Sequence, residues 1–177
     1  GVPTGQGWSL NYTLNGTAQT AVTNAGSGTF TFPLTLNSAG TITLKLTSIT
    51  NTNTSCTTNP LTGSITADIV VDATTVAGSI SNSGASVVCT GTNSGSLTYS
   101  GGTGAIVRWE VSSDNGATWT NGGTTSSTFN WSNLTTTTMY RVVVKNGSCL
   151  EATSASSTIT VRPLPTATIS GSTTICQ

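Results

Sequence analysis

Few side chains in this 177-residue chain can carry out acid–base, nucleophilic or metal chemistry. There are five carboxylates (Asp68, Asp72, Glu110, Asp114, Glu151), three arginines (Arg108, Arg141, Arg162), two lysines, four cysteines and no histidine. Their densest grouping surrounds the string SSDNGATW at 112–119, which fits S-x-D-x-G-x-x-W and follows Arg108 and Glu110. An acid beside arginines and a second carboxylate is the raw material of glycoside hydrolysis.

The S-x-D-x-G-x-x-W string resembles the Asp box that recurs on the propeller blades of sialidases. That resemblance implies an arginine cluster for the substrate carboxylate, a tyrosine nucleophile backed by glutamate, and an aspartic acid. The sequence does not supply them: Arg162 lies in a linker, Arg108 and Glu110 point outward as a solvated surface pair, and the box occurs once. Without histidine there is no Ser-His-Asp or Cys-His arrangement. The carboxylates form no close pair, and Asp68 and Asp72 have no third acid with which to hold calcium. We therefore expect no catalytic residue, no cofactor and no bound metal.

The alternative for Ser112, Asp114, Gly116 and Trp119 is hairpin chemistry. A two-residue Asn115-Gly116 turn would pair Ser112 with Trp119. A three-residue loop would pair Val111 with Trp119 and set Trp109, Val111 and Trp119 on one apolar face. The gain from burying Trp119 favours the three-residue loop. Asp114 then accepts hydrogen bonds from turn amides, and Gly116 supplies a positive φ.

The elements that position these residues are strands. Short runs of valine, isoleucine, leucine and aromatics alternate with threonine and serine, which together supply more than a third of the chain, and no helical period is long enough for a helix. Charged residues are 6% of the sequence, against about a quarter in ordinary domains. Five basic residues cannot build a phosphate-neutralising stripe, so nucleic acid is not expected as a partner. No apolar run is long enough to span a bilayer, so direct membrane insertion is not expected either. Lacking an initiator methionine and a signal peptide, the chain reads as an internal fragment.

The two halves of the chain align. SISNSGASVVC (79–89) matches TISGSTTIC (168–176), TFTFPLTLNSAGTITLKL (29–46) matches TFNWSNLTTTTMYRVVV (128–144), and Asn15-Gly16 matches Asn115-Gly116. The period is about 90 residues, the size of an immunoglobulin-like sandwich. The expected architecture is all-β: tandem immunoglobulin-like sandwich repeats in an extended rod. Residues 1–75 would be a partial unit, 76–163 a complete one and 164–177 the first strand of a third, with Pro163 and Pro165 stiffening the second linker. Candidate core residues are Leu97, Tyr99, Val107, Trp109, Val111, Phe129, Trp131, Tyr140, Val142, Val144, Ile159 and Val161, with Ile42, Leu44 and Leu46 in the preceding unit and Lys45 facing out. The cysteines, without C-x-x-C spacing, suggest disulfides in an oxidising compartment. The repeat register pairs Cys89 with Cys149, and asks for a partner for Cys56 a few residues before Gly1 and one for Cys176 in the unit after Gln177. Cys56–Cys89, which would staple adjacent units, is the competing bridge.

Taken together, WEVSSDNGATWTN, LTTTTMYRVVVKNGSC and STITVRPLPTATISGSTTIC resemble the tandem immunoglobulin-like repeats of giant Bacteroidota surface proteins, including gliding-motility adhesins of the SprB type. The resemblance covers essentially the whole chain. It implies type IX secretion, display on the outer membrane as a filament, and surface attachment serving gliding motility. The implied partners are neighbouring repeats and an adhesion target such as surface polysaccharide. Two other functions are compatible with the residues: a unit that itself binds glycan, and an accessory module of a secreted enzyme.

Overall fold

A computed structural model of the chain describes residues 7–25, 34–58, 65–168, 170 and 171. Phe30, Phe32 and Cys176, together with residues 169 and 172–175 of the expected third unit, lie outside them. Every regular element among the described residues is a β-strand, so the chain is all-β. It divides into two compact units, Gly1–Ala73 and Thr74–Gln177.

In the first unit, β1 (Gly7–Leu14) pairs antiparallel with β2 (Thr17–Ala18), β3 (Val22–Ala25) and β4 (Gly40–Asn51). Strand β4 pairs in turn with β5 (Thr57–Thr58) and β6 (Thr66–Val71). The turn between β1 and β2 has two residues, Asn15 and Gly16, at φ 48° and 81°. Asparagine and glycine are the residues that tolerate such paired left-handed conformations. Leu10 and Tyr12 are the buried apolar residues of this sheet, and Lys45 is exposed.

The second unit builds two sheets around one core. The first contains β7 (Ser79–Asn82), β9 and β12 in the order β12-β9-β7, where β9 is Ser94–Ser100 and β12 is Thr128–Ser132. The second runs β11-β10-β13-β15-β8. Here β8 is Val87–Cys89, β10 is Ala105–Ser112, β11 is Thr120–Asn121, β13 is Thr138–Lys145 and β15 is Ser157–Arg162. A short β14 (Ala152–Thr153) also joins β13. Leu97 and Trp131 from the first sheet meet Trp109, Tyr140, Val142, Val144 and Ile159 from the second. Ile80, Tyr99, Val111 and Phe129 pack around them. Trp109, Phe129 and Tyr140 form a tilted aromatic ladder, with ring centroids 5.3 and 5.2 Å apart, a favourable geometry for aromatic pairs.

Alternation fails at two places. Val107, expected in the core, is 37% exposed. The ladder between β10 and β13 shifts register between Ile106 and Arg108, and this bulge turns Val107 out while Ile106 and Trp109 stay inside. Val143, on the outward side of β13, is nevertheless buried, with Arg108 and Thr153 as its register partners.

The outward positions of the first sheet carry only hydroxyls and amides: Ser81, Ser94, Ser96, Thr98, Thr128, Asn130 and Ser132. They alternate with Leu97, Phe129 and Trp131, which face the core. The charged residues of the unit's strands sit on the other sheet.

The expected Cys89–Cys149 disulfide is not formed; Cys89 is an exposed free thiol, as is Cys56. The reason is topological. Strand β8 runs parallel to β15, and Cys89 is level with Arg162, at the end of the unit where β13 begins. Cys149 follows the far end of β13, in a turn where its amide bonds the Asn146 carbonyl. The eight residues of β13 cover over 20 Å at roughly 3.3 Å each, whereas a disulfide needs Cα atoms within about 7 Å.

Candidate functional site

The SSDNGATW segment closes on itself. Ser112 Oγ donates to Asp114 Oδ1 at 2.7 Å and accepts the Gly116 amide at 2.9 Å. Asp114 Oδ1 accepts the Thr118 amide at 2.9 Å, and Oδ2 accepts the Thr118 hydroxyl. Asn115 and Gly116 take φ 60° and 86°, so the turn uses two left-handed residues. The carboxylate thus serves as an internal staple for the loop.

The register differs from the one expected. Glu110 faces Asn121 and Val111 faces Thr120, which brings Trp119 level with Ser112 and off the Trp109–Val111 face. Trp119 covers its own turn, its Nε1 donating to the Gly116 carbonyl at 3.1 Å. Arg141 lies over the ring at 4.0 Å from the centroid, a cation–π contact. Arginine stacking and the turn carbonyl give the indole its shelter, so core burial is not the deciding gain. Of the candidate residues, Ser112, Asp114, Gly116 and Trp119 are therefore brought together on the hairpin. Trp109, Phe129, Trp131 and Tyr140 lie in the core, and the Cys89 and Cys149 positions are apart.

Next to the hairpin, Glu110 joins two arginines. Arg108 Nε reaches Oε1 at 2.7 Å and Arg141 Nε reaches Oε2 at 2.6 Å, while Arg108 also meets Glu151 at 3.1 Å. Glu110 is only 8% exposed, so the acid at the centre of the network is sheltered, unlike the solvated pair expected from alternation. Arg108, Arg141 and Glu151 around it stay partly exposed. Burial raises the Glu110 carboxyl, but hydrogen bonds and charge from Arg108 and Arg141 outweigh it and hold the group below the ordinary glutamate value. Thr118, Arg141 and Glu151 were missing from the sequence reading of the site. Thr118 was within reach, since it sits four residues after Asp114 in a turn that folds back on the carboxylate.

Burial pushes the Tyr140 hydroxyl up to about 12. Its ring packs on Phe129 within the apolar core. Among the described residues, no group of three or more acids and cysteines is arranged to hold a metal ion. An open groove of about 590 Å³ lies at one end of the first sheet, lined by Ser83, Ser94, Ser96, Asn130, Trp131 and Ser132. No charged residue lines it. Gly95 gives the Trp131 ring its place there, since a Cβ would overlap the indole.

Asp114 should make the hairpin pH-sensitive. Its carboxyl is lowered from 3.8 to about 2, first by the Thr118 hydroxyl, then by the Thr118 amide and Ser112. A folded pKa below the unfolded one means stability that is present above pH 4 and is lost as pH falls from about 4 through about 2. Asp114→Asn should flatten that part of the stability-versus-pH curve. Urea titrations of both proteins between pH 2 and 6 check this; parallel curves would remove the staple.

A search of curated proteins gives no match to the chain. Residues 76–163, which carry the hairpin, the arginine–glutamate network and the core, match a family model described as a domain of unknown function, DUF8696.

Proposed function

We propose that the chain is a piece of the stalk of a large secreted adhesin, built from tandem immunoglobulin-like units in an extended rod. The observation that carries this reading is the recurrence of one pairing order in both units. In the first unit, a strand ending near an Asn-Gly turn (β1) pairs with a long strand (β4), which pairs with a short one (β5) and a last one (β6). In the second, β10, β13, β14 and β15 repeat that order. Two further features support it. The arginines and glutamates beside the Asp box pair with one another, and Pro163 and Pro165 stiffen the chain beyond the second unit.

On this reading the chain is not an enzyme and uses no cofactor. It is exported to the cell surface of a Bacteroidota bacterium by type IX secretion, and it serves attachment and gliding. Its partners are neighbouring repeats, and neither nucleic acid nor direct membrane insertion is involved. The uncharged groove beside Trp131 favours one alternative, a unit that itself holds a neutral glycan.

Antibody raised against residues 76–163 should label intact cells of the source bacterium, and protease added to those cells should remove the label. Labelling that appears only after permeabilisation would exclude a surface stalk.

A further inference from the structure

The chain passes through its second unit from one end to the other. It comes in beside the end of β13: the Asn146 amide donates to Thr75 Oγ1 at 3.1 Å, and Val76 bridges Thr103. It leaves after Arg162, beside the start of β13, where the Val161 amide donates to Thr137 Oγ1 at 3.1 Å. Between these points, β8 follows β7 near the start of the unit and lies parallel to the final strand, β15.

That pairing fixes how a stretching force is shared. Force drawn through the unit pulls β8 toward the incoming end and β15 toward the outgoing end. Two parallel neighbours pulled at opposite ends slide along one another, so the hydrogen bonds between them are loaded together and must fail together. Pulled from the same end they would peel, one bond at a time. The bonds that resist sliding include Thr160 N–H to the Ser86 carbonyl at 2.8 Å and Thr90 N–H to the Arg162 carbonyl at 2.9 Å. Thr90 Oγ1 adds a bond to the same Arg162 oxygen at 3.3 Å. Strand β7 is also held lengthwise, by its antiparallel ladder to β9. Val88 and Ile80 pack against the core, which keeps these strands seated on their neighbours.

We propose that the β8–β15 pair is a tension-bearing latch, and that the second unit resists extension along its chain far better than extension in other directions. This goes beyond the stalk reading without depending on it, because it is a property of the purified chain and can be measured without reference to where the chain is displayed.

The test is single-molecule force spectroscopy on the full 177-residue chain, with handles attached through azide-bearing side chains. Handles at positions 74 and 163 load the latch in sliding; handles at 85 and 156 load it in peeling. The sliding geometry should require roughly two-fold or more force at the same loading rate, because forced unfolding reads the barrier along the pulled direction. Thr90→Pro, which removes the donor to Arg162, should lower the sliding force and leave the peeling force nearly unchanged. Equal forces in the two geometries would overturn the latch, whether or not the proline variant folds. Unequal forces with no effect of Thr90→Pro would overturn the assignment to these hydrogen bonds.

Discussion

Trp109→Ala should destabilise the second unit by about 3–5 kcal/mol, the usual cost of truncating a fully buried tryptophan. The ring is 0% exposed and stacks on Phe129, and its Nε1 donates to the Ser126 carbonyl at 2.8 Å. Truncation would leave a cavity between the two sheets and an unpaired carbonyl. Since domains are stable by only about 5–15 kcal/mol, the unit would be left close to unfolding. Native-state hydrogen exchange at the Val142 and Val144 amides reads this unit alone and should show the loss. Trp119→Ala, read at the same amides, should cost about 1 kcal/mol, the scale of an exposed cation–π contact. Equal losses from the two substitutions would mean that Trp119 is a core residue and that the observed register is wrong.

Gly104→Ala should cost about 3 kcal/mol or more, combining the strain of a disfavoured backbone conformation with forced overpacking. Gly104 has φ 113°, and an added Cβ would lie 2.6 Å from the Lys145 carbonyl carbon and oxygen and 2.7 Å from the Asn146 nitrogen. These are backbone atoms at the end of β13 and cannot rotate aside. Gly123→Ala is the control: it shares a positive φ, 76°, but meets nothing within 4 Å, so only the conformational cost of about 1 kcal/mol remains. A Gly104 variant no less stable than the Gly123 variant would show that the close approach at β13 is not rigid.

The all-β class and most of the core were legible because apolar residues recur at every second position along β9, β12 and β13. Leu97, Trp131 and Tyr140 are where that alternation puts them. The bulge at Val107 was not legible, since a register shift inserts one residue without altering composition. The hairpin was half legible. Asp114, Asn115 and Gly116 announced a tight turn, but the place of Trp119 depends on Arg141, which arrives from β13, 22 residues further along the chain and on the opposite side of β10. Pairwise loop rules do not see such a partner. The disulfide reading failed for a related reason: similar cysteine spacing in two halves says nothing about which end of the unit each strand reaches. Only the parallel β8–β15 pairing settles that.

The hydroxyl-bearing outer face of the β12-β9-β7 sheet has a consequence for how the protein stays dissolved. A chain with zero net charge has little mutual repulsion to keep copies apart, and what there is fades within about 10 Å at 0.1 M salt. Ser81, Ser94, Ser96, Thr98, Thr128, Asn130 and Ser132 bind water through neutral donors and acceptors, whose hydration does not depend on ionic strength. Hydration of this kind should let the protein move between dilute buffer and about 0.5 M salt with little change in solubility.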